Sequence, residues 1–278
     1  MYSMDKDINK TLNYLHEESG FDFSGYRPSM ITRRIGKRLF DVKCENHNQY
    51  LYYLKENPQE INNLIDVLTI NVSRFFRDTM TFEYIADRIL PAIIYKNKQA
   101  KDLSLRVWST GCATGEEPYS VAILINEFIK KEGLNLSLNI FATDIDKKAL
   151  GKAKKARYPF ESIKGVKYRL LEKYFGSTSK SFQLAPEIKD LVAFTFYDLL
   201  AKKSHAPPES IFGGFDMVFC RNVLIYFNQE YQGLIFDKLY RSISNQGYLI
   251  LGESEVPPTK YQKNLIRVND CCHIYQKR

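Results

Sequence analysis

The hydrophobic period of this chain changes near Leu103, and that change constrains the fold more than any other feature of the sequence. Up to about residue 95, apolar residues recur three and four apart: Ile8, Leu12, Leu15; then Ile31, Ile35, Leu39, Val42; then Ile61, Leu64, Ile65, Leu68. This is the spacing of one helix face, so a small helical bundle is expected there. Gly20 and Gly25 punctuate its first break, and Pro58 suits the first turn of a helix. From Leu103 onward, short β-rich runs alternate with helical stretches: LSLRVWS, a helix beginning near Glu117, LNIFAT, a helix from Asp146, then VAFTFY, FDMVFC, a helix after Asn228, and GYLILG. Strands separated by helices predict βαβ units and a mainly parallel, doubly wound sheet. The last runs, NLIRV and CCHIY, are joined by Asn269-Asp270 and read as a closing antiparallel hairpin. Between Arg157 and Asp190 the alternation lapses over a basic, serine-containing stretch too long for an ordinary connection. The expected organisation is a helical domain over 1–75, a linker helix over 76–95, and an α/β domain over 96–278 with an inserted subdomain at about 157–191.

Composition narrows the setting. No run approaches the ~20 apolar residues of a membrane span, and the N-terminus has no apolar stretch of the secretory kind. A soluble cytoplasmic protein without membrane insertion is expected. The five cysteines form no Cys-x-x-Cys pair and the four histidines are far apart, so neither a metal site nor a disulfide framework is predicted. The formal charge of +8 is unevenly spread, with 11 cations between Lys147 and Lys180. A second cluster, Arg33, Arg34, Lys37 and Arg38, has i, i+4 spacing and is expected to share one helix face. Such a face either meets water or steers an acidic partner.

In open α/β sheets ligands sit at the carboxyl ends of the strands. After the first strand comes STGCATGEEPYS, residues 109–120, whose glycines let backbone approach a ligand. The dinucleotide fingerprint does not fit: only Gly111 and Gly115 are present, and the next strand-end acid, Asp144, stands 33 residues after Gly111. Glu116 and Glu117 at the helix start would repel a pyrophosphate. They suit a cationic ligand, although stabilisation of the helix dipole alone would also place acids there. S-adenosylmethionine carries an ammonium and a sulfonium, and its ribose hydroxyls need an acceptor where Asp144 stands.

With NVSRFFRD (71–78), FATDID (141–146) and FCRNVLIYF (219–227), this glycine loop resembles the chemoreceptor glutamate methyltransferase family of CheR type. The resemblance covers essentially the whole chain. It implies an S-adenosylmethionine-binding methyltransferase domain, an all-α N-terminal domain and a small β-subdomain at the lapse. It further implies transfer of a methyl group to glutamate side chains of chemoreceptor cytoplasmic helices, leaving S-adenosylhomocysteine, for adaptation in chemotaxis. Carried over position by position, Asn71, Ser73 and Arg77 reach the cofactor; Ser73 replaces the usual threonine and keeps its hydroxyl. Glu117 meets the methionine ammonium, Gly111 lies in the approach loop and Asp144 takes the ribose. Asp198 and Leu199 match the adenine-contacting pair, with aspartate where asparagine is common. Cys220, Arg221 and Asn222 line the pocket. Arg77 holds the glutamate carboxylate and Tyr226 orients it; Arg77 could instead pair with Asp78 or Glu83. The face bearing Arg33, Arg34, Lys37 and Arg38 would draw in the acidic receptor helix.

Two other functions compete. A nucleic-acid methyltransferase would account for the basic charge, but base amino-group methylation usually places an Asn/Asp-Pro-Pro-aromatic motif where Cys220-Arg221-Asn222-Val223 stands. A cofactor-binding module without activity would be expected to lack Arg77 or Tyr226, and both are present. The stretch Gly176–Phe182 is short with one glycine, which predicts independence from a receptor C-terminal tether peptide. A monomer is expected.

Overall fold

The computed structural model describes residues 6–69, 71–99, 103–178, 180–201, 206–207, 210 and 214–278. Met1–Asp5, at the N-terminus considered above, and Ser179, in the 176–182 stretch, lie outside the described residues. By its contacts the chain divides into two units. One is the chain up to Asn71 with Ile225–Gln232, and the other is Val72–Leu224 with Gly233–Arg278.

The first unit is built from α1 (Lys6–Ser19), α2 (Pro28–Asp41), α3 (His47–Glu56) and α4 (Pro58–Thr69). α2 and α4 open on prolines, where the missing N–H has no helical partner to lose. Asn46 caps α3 by accepting the Gln49 N–H at 2.9 Å. The apolar stripes form the core, with Ile8, Leu15, Ile31, Ile35, Leu64 and Leu68 all buried. α4 departs from the pattern by one position: Ile61 is half-buried and Glu60 is buried. That carboxylate is fully satisfied. Arg38 grips its two oxygens at 2.8 and 2.7 Å, the Tyr50 hydroxyl donates at 2.9 Å and the Asn63 amide at 3.0 Å.

The same contacts correct the expectation that all four cations of α2 share one face open to water or to an acidic partner. Arg38 turns inward to Glu60, and Arg34 donates to the Val67 carbonyl at 2.5 Å. Arg33 and Lys37 alone of the four are exposed. Helical spacing places all four close together but cannot register an internal acid such as Glu60.

In the second unit α5 (Thr79–Tyr84) passes through a π turn, Ile85–Ile89, into α6 (Leu90–Gln99). The alternation then unfolds as predicted: β1 (Ser104–Thr110), α7 (Glu116–Glu132), β2 (Ser137–Asp144) and α8 (Lys147–Lys155). The insertion follows, with β3 (Arg157–Tyr158), α9 (Phe160–Ile163), α10 (Tyr168–Tyr174), β4 (Phe175–Ser177), β5 (Phe182–Leu184) and α11 (Pro186–Lys189). The chain closes with β6 (Val192–Phe196), β7 (Phe215–Cys220), α12 (Gln229–Ser242), β8 (Ile243–Leu251), β9 (Leu265–Arg267) and β10 (Ile274–Lys277).

The main sheet has the order β6-β2-β1-β7-β8-β10-β9. Its first five strands are parallel, and β10 runs antiparallel to both neighbours as the predicted hairpin. Every residue of β7 is buried, as a central strand covered on both faces requires. The chain winds outward from β1 to β2 and β6 on one side, and to β7 and β8 on the other. The order therefore reverses between β1 and β7, and a crevice opens at their carboxyl ends. The inserted strands form a separate antiparallel sheet, β3-β5-β4. Edge-to-face contacts of Phe75 with Tyr158 (4.8 Å) and Phe175 (5.1 Å) tie it to the segment preceding Arg77.

Candidate active site

The turn after β1 is shaped by left-handed backbone at Gly111 (φ 60°), Ala113 (φ 48°) and Gly115 (φ 92°). The two glycines serve packing as well as conformation. A Cβ at Gly111 would lie 2.6 Å from a Val223 methyl, and one at Gly115 would lie 2.9 Å from the Ala153 Cβ. The turn delivers Glu116 and Glu117 to different tasks. Glu116 accepts from the Thr114 hydroxyl at 2.7 Å and the Ser162 hydroxyl at 3.1 Å, so it fastens the turn to the insertion. Glu117 faces the strand ends, where Ser109 donates to one oxygen at 2.8 Å and Arg221 to the other at 3.2 Å. Burial raises the Glu117 carboxyl above the ordinary glutamate value, against the pull of Arg221 and Ser109.

At the end of β2, Asp144 accepts the Ala113 N–H at 2.8 Å on one oxygen and the Asp146 N–H at 2.8 Å on the other. It is buried, and burial raises its pKa against those two amides. A carboxylate has about four lone-pair sites, so capacity remains for a ligand hydroxyl. Asp146 itself caps α8, accepting from Lys148 and Ala149 at 2.7 and 3.1 Å.

Arg221, just beyond β7, is the hub of the site, with its side chain 2% exposed. It donates to Asp78 at 2.5 Å, to the Arg77 carbonyl at 2.9 Å and to Glu117 at 3.2 Å. These bonds hold a segment in which Phe76 (φ 51°) and Asp78 (φ 61°) both adopt left-handed backbone, a strain of the kind that concentrates at functional sites. The acids nearest Arg77 in sequence are taken: Asp78 by Arg221, and Glu83 by Lys167 at 2.5 Å. Among the described residues the Arg77 guanidinium makes no hydrogen bond or ion pair.

Asn222, next in the β7 loop, is again left-handed at φ 60°. Buried Glu255 holds it: one oxygen accepts the N–H groups of Asn222 and Gly252, both at 2.8 Å, and the other accepts that of Val223 at 2.9 Å. Cys220 and Cys112 are buried, and burial pushes both thiols up, which disfavours the thiolate. After β6, Asp198 accepts the Leu200 N–H at 2.8 Å, and Asp198 and Leu199 are half-buried. Asn71 and Tyr226 belong to the helical unit, and Ser73 and Arg77 to the larger one. The Tyr226 carbonyl accepts the Arg27 N–H at 2.8 Å.

The strand ends thus gather Glu117, Asp144, Asp78, Arg221 and the loops carrying Arg77, Asn222 and Asp198. The sequence pattern does not single out Glu255 or Ser109, nor the bond between Asp78 and Arg221. A carboxylate soon after a strand-end glycine, as in Gly252-Glu253-Ser254-Glu255, is the available signal for the first. Around Glu117 one cation offsets two carboxylates, and Asp144 adds a third. This donor set fits a ligand bearing cationic groups and a diol, and it would repel a pyrophosphate.

Comparison with known proteins agrees with that chemistry. The family described as CheR methyltransferase, SAM binding domain, matches residues 71–270, and CheR methyltransferase, all-alpha domain, matches residues 6–69. A chemotaxis protein methyltransferase of Borreliella burgdorferi is 27% identical over 271 residues, covering 93% of this chain and 94% of that protein. Chemotaxis protein methyltransferase 2 of Vibrio cholerae is 29% identical, covering 99% of this chain and 91% of its own. Chemotaxis protein methyltransferase 1 of Pseudomonas aeruginosa is 31% identical, covering 87% of each.

Proposed function

The chain belongs to the CheR methyltransferase family and is an S-adenosylmethionine-dependent methyltransferase, and from that premise we propose that its acceptors are glutamate side chains on the cytoplasmic helices of chemoreceptors. The products would be glutamate methyl esters and S-adenosylhomocysteine, made in the cytoplasm for adaptation in chemotaxis. The observation that carries this reading is Arg77. Its guanidinium is unpaired among the described residues, while its backbone is anchored by Arg221. An uncommitted guanidinium presented from a strained, anchored segment suits the grip of a carboxylate.

When bound, the cofactor supplies a methyl group on a positively charged sulfur, which a carboxylate can take without first losing a proton. No general base is required, because glutamate is already ionised at neutral pH. The chain's work is therefore binding, orientation and exclusion of water. Glu117 would offset the methionine ammonium, and Asp144 would accept from the ribose hydroxyls. Asp198 and Leu199 would flank the adenine, where the carboxylate of Asp198 can accept from an amino group. Gly111, Asn71, Ser73, Cys220 and Asn222 complete the cofactor's surroundings in this assignment. Arg77 would hold the substrate carboxylate, and the Tyr226 hydroxyl would orient one of its oxygens.

Arg33 and Lys37 are the cations of α2 left to face solvent, and they would steer an acidic receptor helix. Between β4 and β5 the Thr178 N–H donates to the Ser181 carbonyl at 2.8 Å. The short Gly176–Phe182 stretch with its one glycine supports action on receptors without a tether peptide, and the protein would act as a monomer.

The test is transfer of a radiolabelled methyl group from S-adenosylmethionine to receptor-containing membranes, followed by base treatment. Release of the label as methanol, lost in Arg77→Ala, is expected. Base-stable label would assign a different acceptor.

A further inference from the structure

The turn that follows β6 is held by a buried lysine that has no task in the chemistry above. Lys238, on α12, is 7% exposed. Its ammonium donates to the Ala201 carbonyl at 2.7 Å and lies 5.1 Å from the centre of the Tyr197 ring. One hydrogen bond is scant compensation for three N–H donors withdrawn from water, so a need for helix packing alone would favour an apolar residue here. The neighbouring inward positions of α12, Ile235, Phe236 and Leu239, are indeed apolar and buried.

The charge has a counterpart. Burial lowers the Lys238 pKa, and the carboxylate of Asp198 pulls it back up. Asp198 also closes its own turn, its side chain accepting the Leu200 N–H at 2.8 Å and its carbonyl the Ala201 N–H at 3.0 Å. Residues 198–201 are thus fixed at one end by Asp198 and at the other by Lys238. The turn abuts the acid at the end of β2: the Tyr197 N–H donates to the Asp144 carbonyl at 3.1 Å, and Phe196 pairs with Asp144 across the sheet.

We propose that Lys238 is a positioning residue for the cofactor, which fixes the Asp198–Ala201 turn at the crevice edge through the Ala201 carbonyl and sets a cation within electrostatic reach of Asp198. The inference rests on the assignment of Asp198 and Leu199 to the adenine, and it is independent of the methyl acceptor. Without Lys238 the turn would have to be ordered on binding, and Asp198 would lose the electrostatic attraction of that ammonium.

Calorimetric titration of S-adenosylhomocysteine into the full chain tests this. Lys238→Met should weaken binding roughly tenfold, the scale of ordering one residue's backbone. Adding Asp198→Asn in that background should recover the electrostatic part of the loss, whereas Asp198→Asn alone should not tighten binding. With S-adenosylmethionine, Lys238→Met should raise KM and leave kcat at saturating cofactor unchanged. A purely structural lysine would lower thermal stability, leave the dissociation constant at the wild-type value and show no rescue by Asp198→Asn, and that result would overturn the proposal. Should Lys238→Met fail to fold, Lys238→Gln keeps a donor for Ala201 and loses the charge. A weakened affinity that Asp198→Asn restores is again the supporting result, and an unchanged affinity the contrary one. Because the titration involves no methyl acceptor, its failure and a failure of the glutamate assignment are separate outcomes.

Discussion

Removing Arg38 and removing Arg33 are different experiments, although both residues stand on α2. Arg38→Ala strands the buried Glu60 carboxylate, whose side chain is 4% exposed, and should destabilise the protein by about 3 kcal/mol in urea titration. Arg33→Ala, at an exposed position, should stay within ~0.5 kcal/mol. The sequence shows cations at helical spacing, but the acid that claims one of them lies 22 residues away, and no periodicity encodes that pairing. Glu117 makes a prediction with a definite sign. Burial raises its pKa and that of Asp144, so the folded protein holds these protons more readily than the unfolded chain, and both groups favour the fold as pH falls. Ligand binding runs the other way, because protonated Glu117 no longer attracts an ammonium. Affinity for S-adenosylhomocysteine should therefore fall with falling pH, with a midpoint above the ordinary glutamate value of 4.5, and Glu117→Gln should flatten that dependence. A wild-type curve without a step above that value would contradict the assigned role. The residue types at 77, 117, 144 and 221 are legible in their motifs, whereas the bonds from Arg221 to Asp78 and Glu117 depend on chain crossings that only the fold defines.

At the scale of elements, the glycine turn after β1 is where local sequence and tertiary packing coincide. Gly115→Ala meets both a left-handed φ of 92° and a Cβ contact of 2.9 Å with Ala153, and should lower stability by about 2–3 kcal/mol. Gly133, which ends α7 at φ 59° with nothing within 4 Å, isolates the conformational part, and Gly133→Ala should lower it by only about 1 kcal/mol. Thermal unfolding of the two variants gives the comparison, and equal losses would show that crowding at Ala153 is unimportant. The strands and helices of the α/β unit are legible because each carries its own period and turn residues. The inserted sheet is legible only as a lapse, since β3 has two residues and β4 and β5 three each, too few for an alternation to register. Ile61 marks the opposite case, a regular stripe displaced by one residue because Glu60 has four bonds waiting inside the bundle.

For the molecule as a whole, the net charge of +8 matters through its distribution. Several cations of the basic third are spent internally: Lys167 on Glu83, and Arg169 and Lys173 on Glu127. Arg33 and Lys37 remain exposed on α2. Reversing both to glutamate should slow methylation of receptor-containing membranes severalfold at low ionic strength, and the difference should fade as salt shortens the ~8–10 Å screening length. Equal initial rates at low salt would exclude that face from docking. Tandem mass spectrometry of a receptor cytoplasmic domain incubated with the protein and S-adenosylmethionine reads the identity of the acceptor atom directly. One added methyl on glutamate side chains is expected, absent when Arg77→Ala replaces the wild-type protein. The same mass on lysine, arginine or a terminal amine would contradict it.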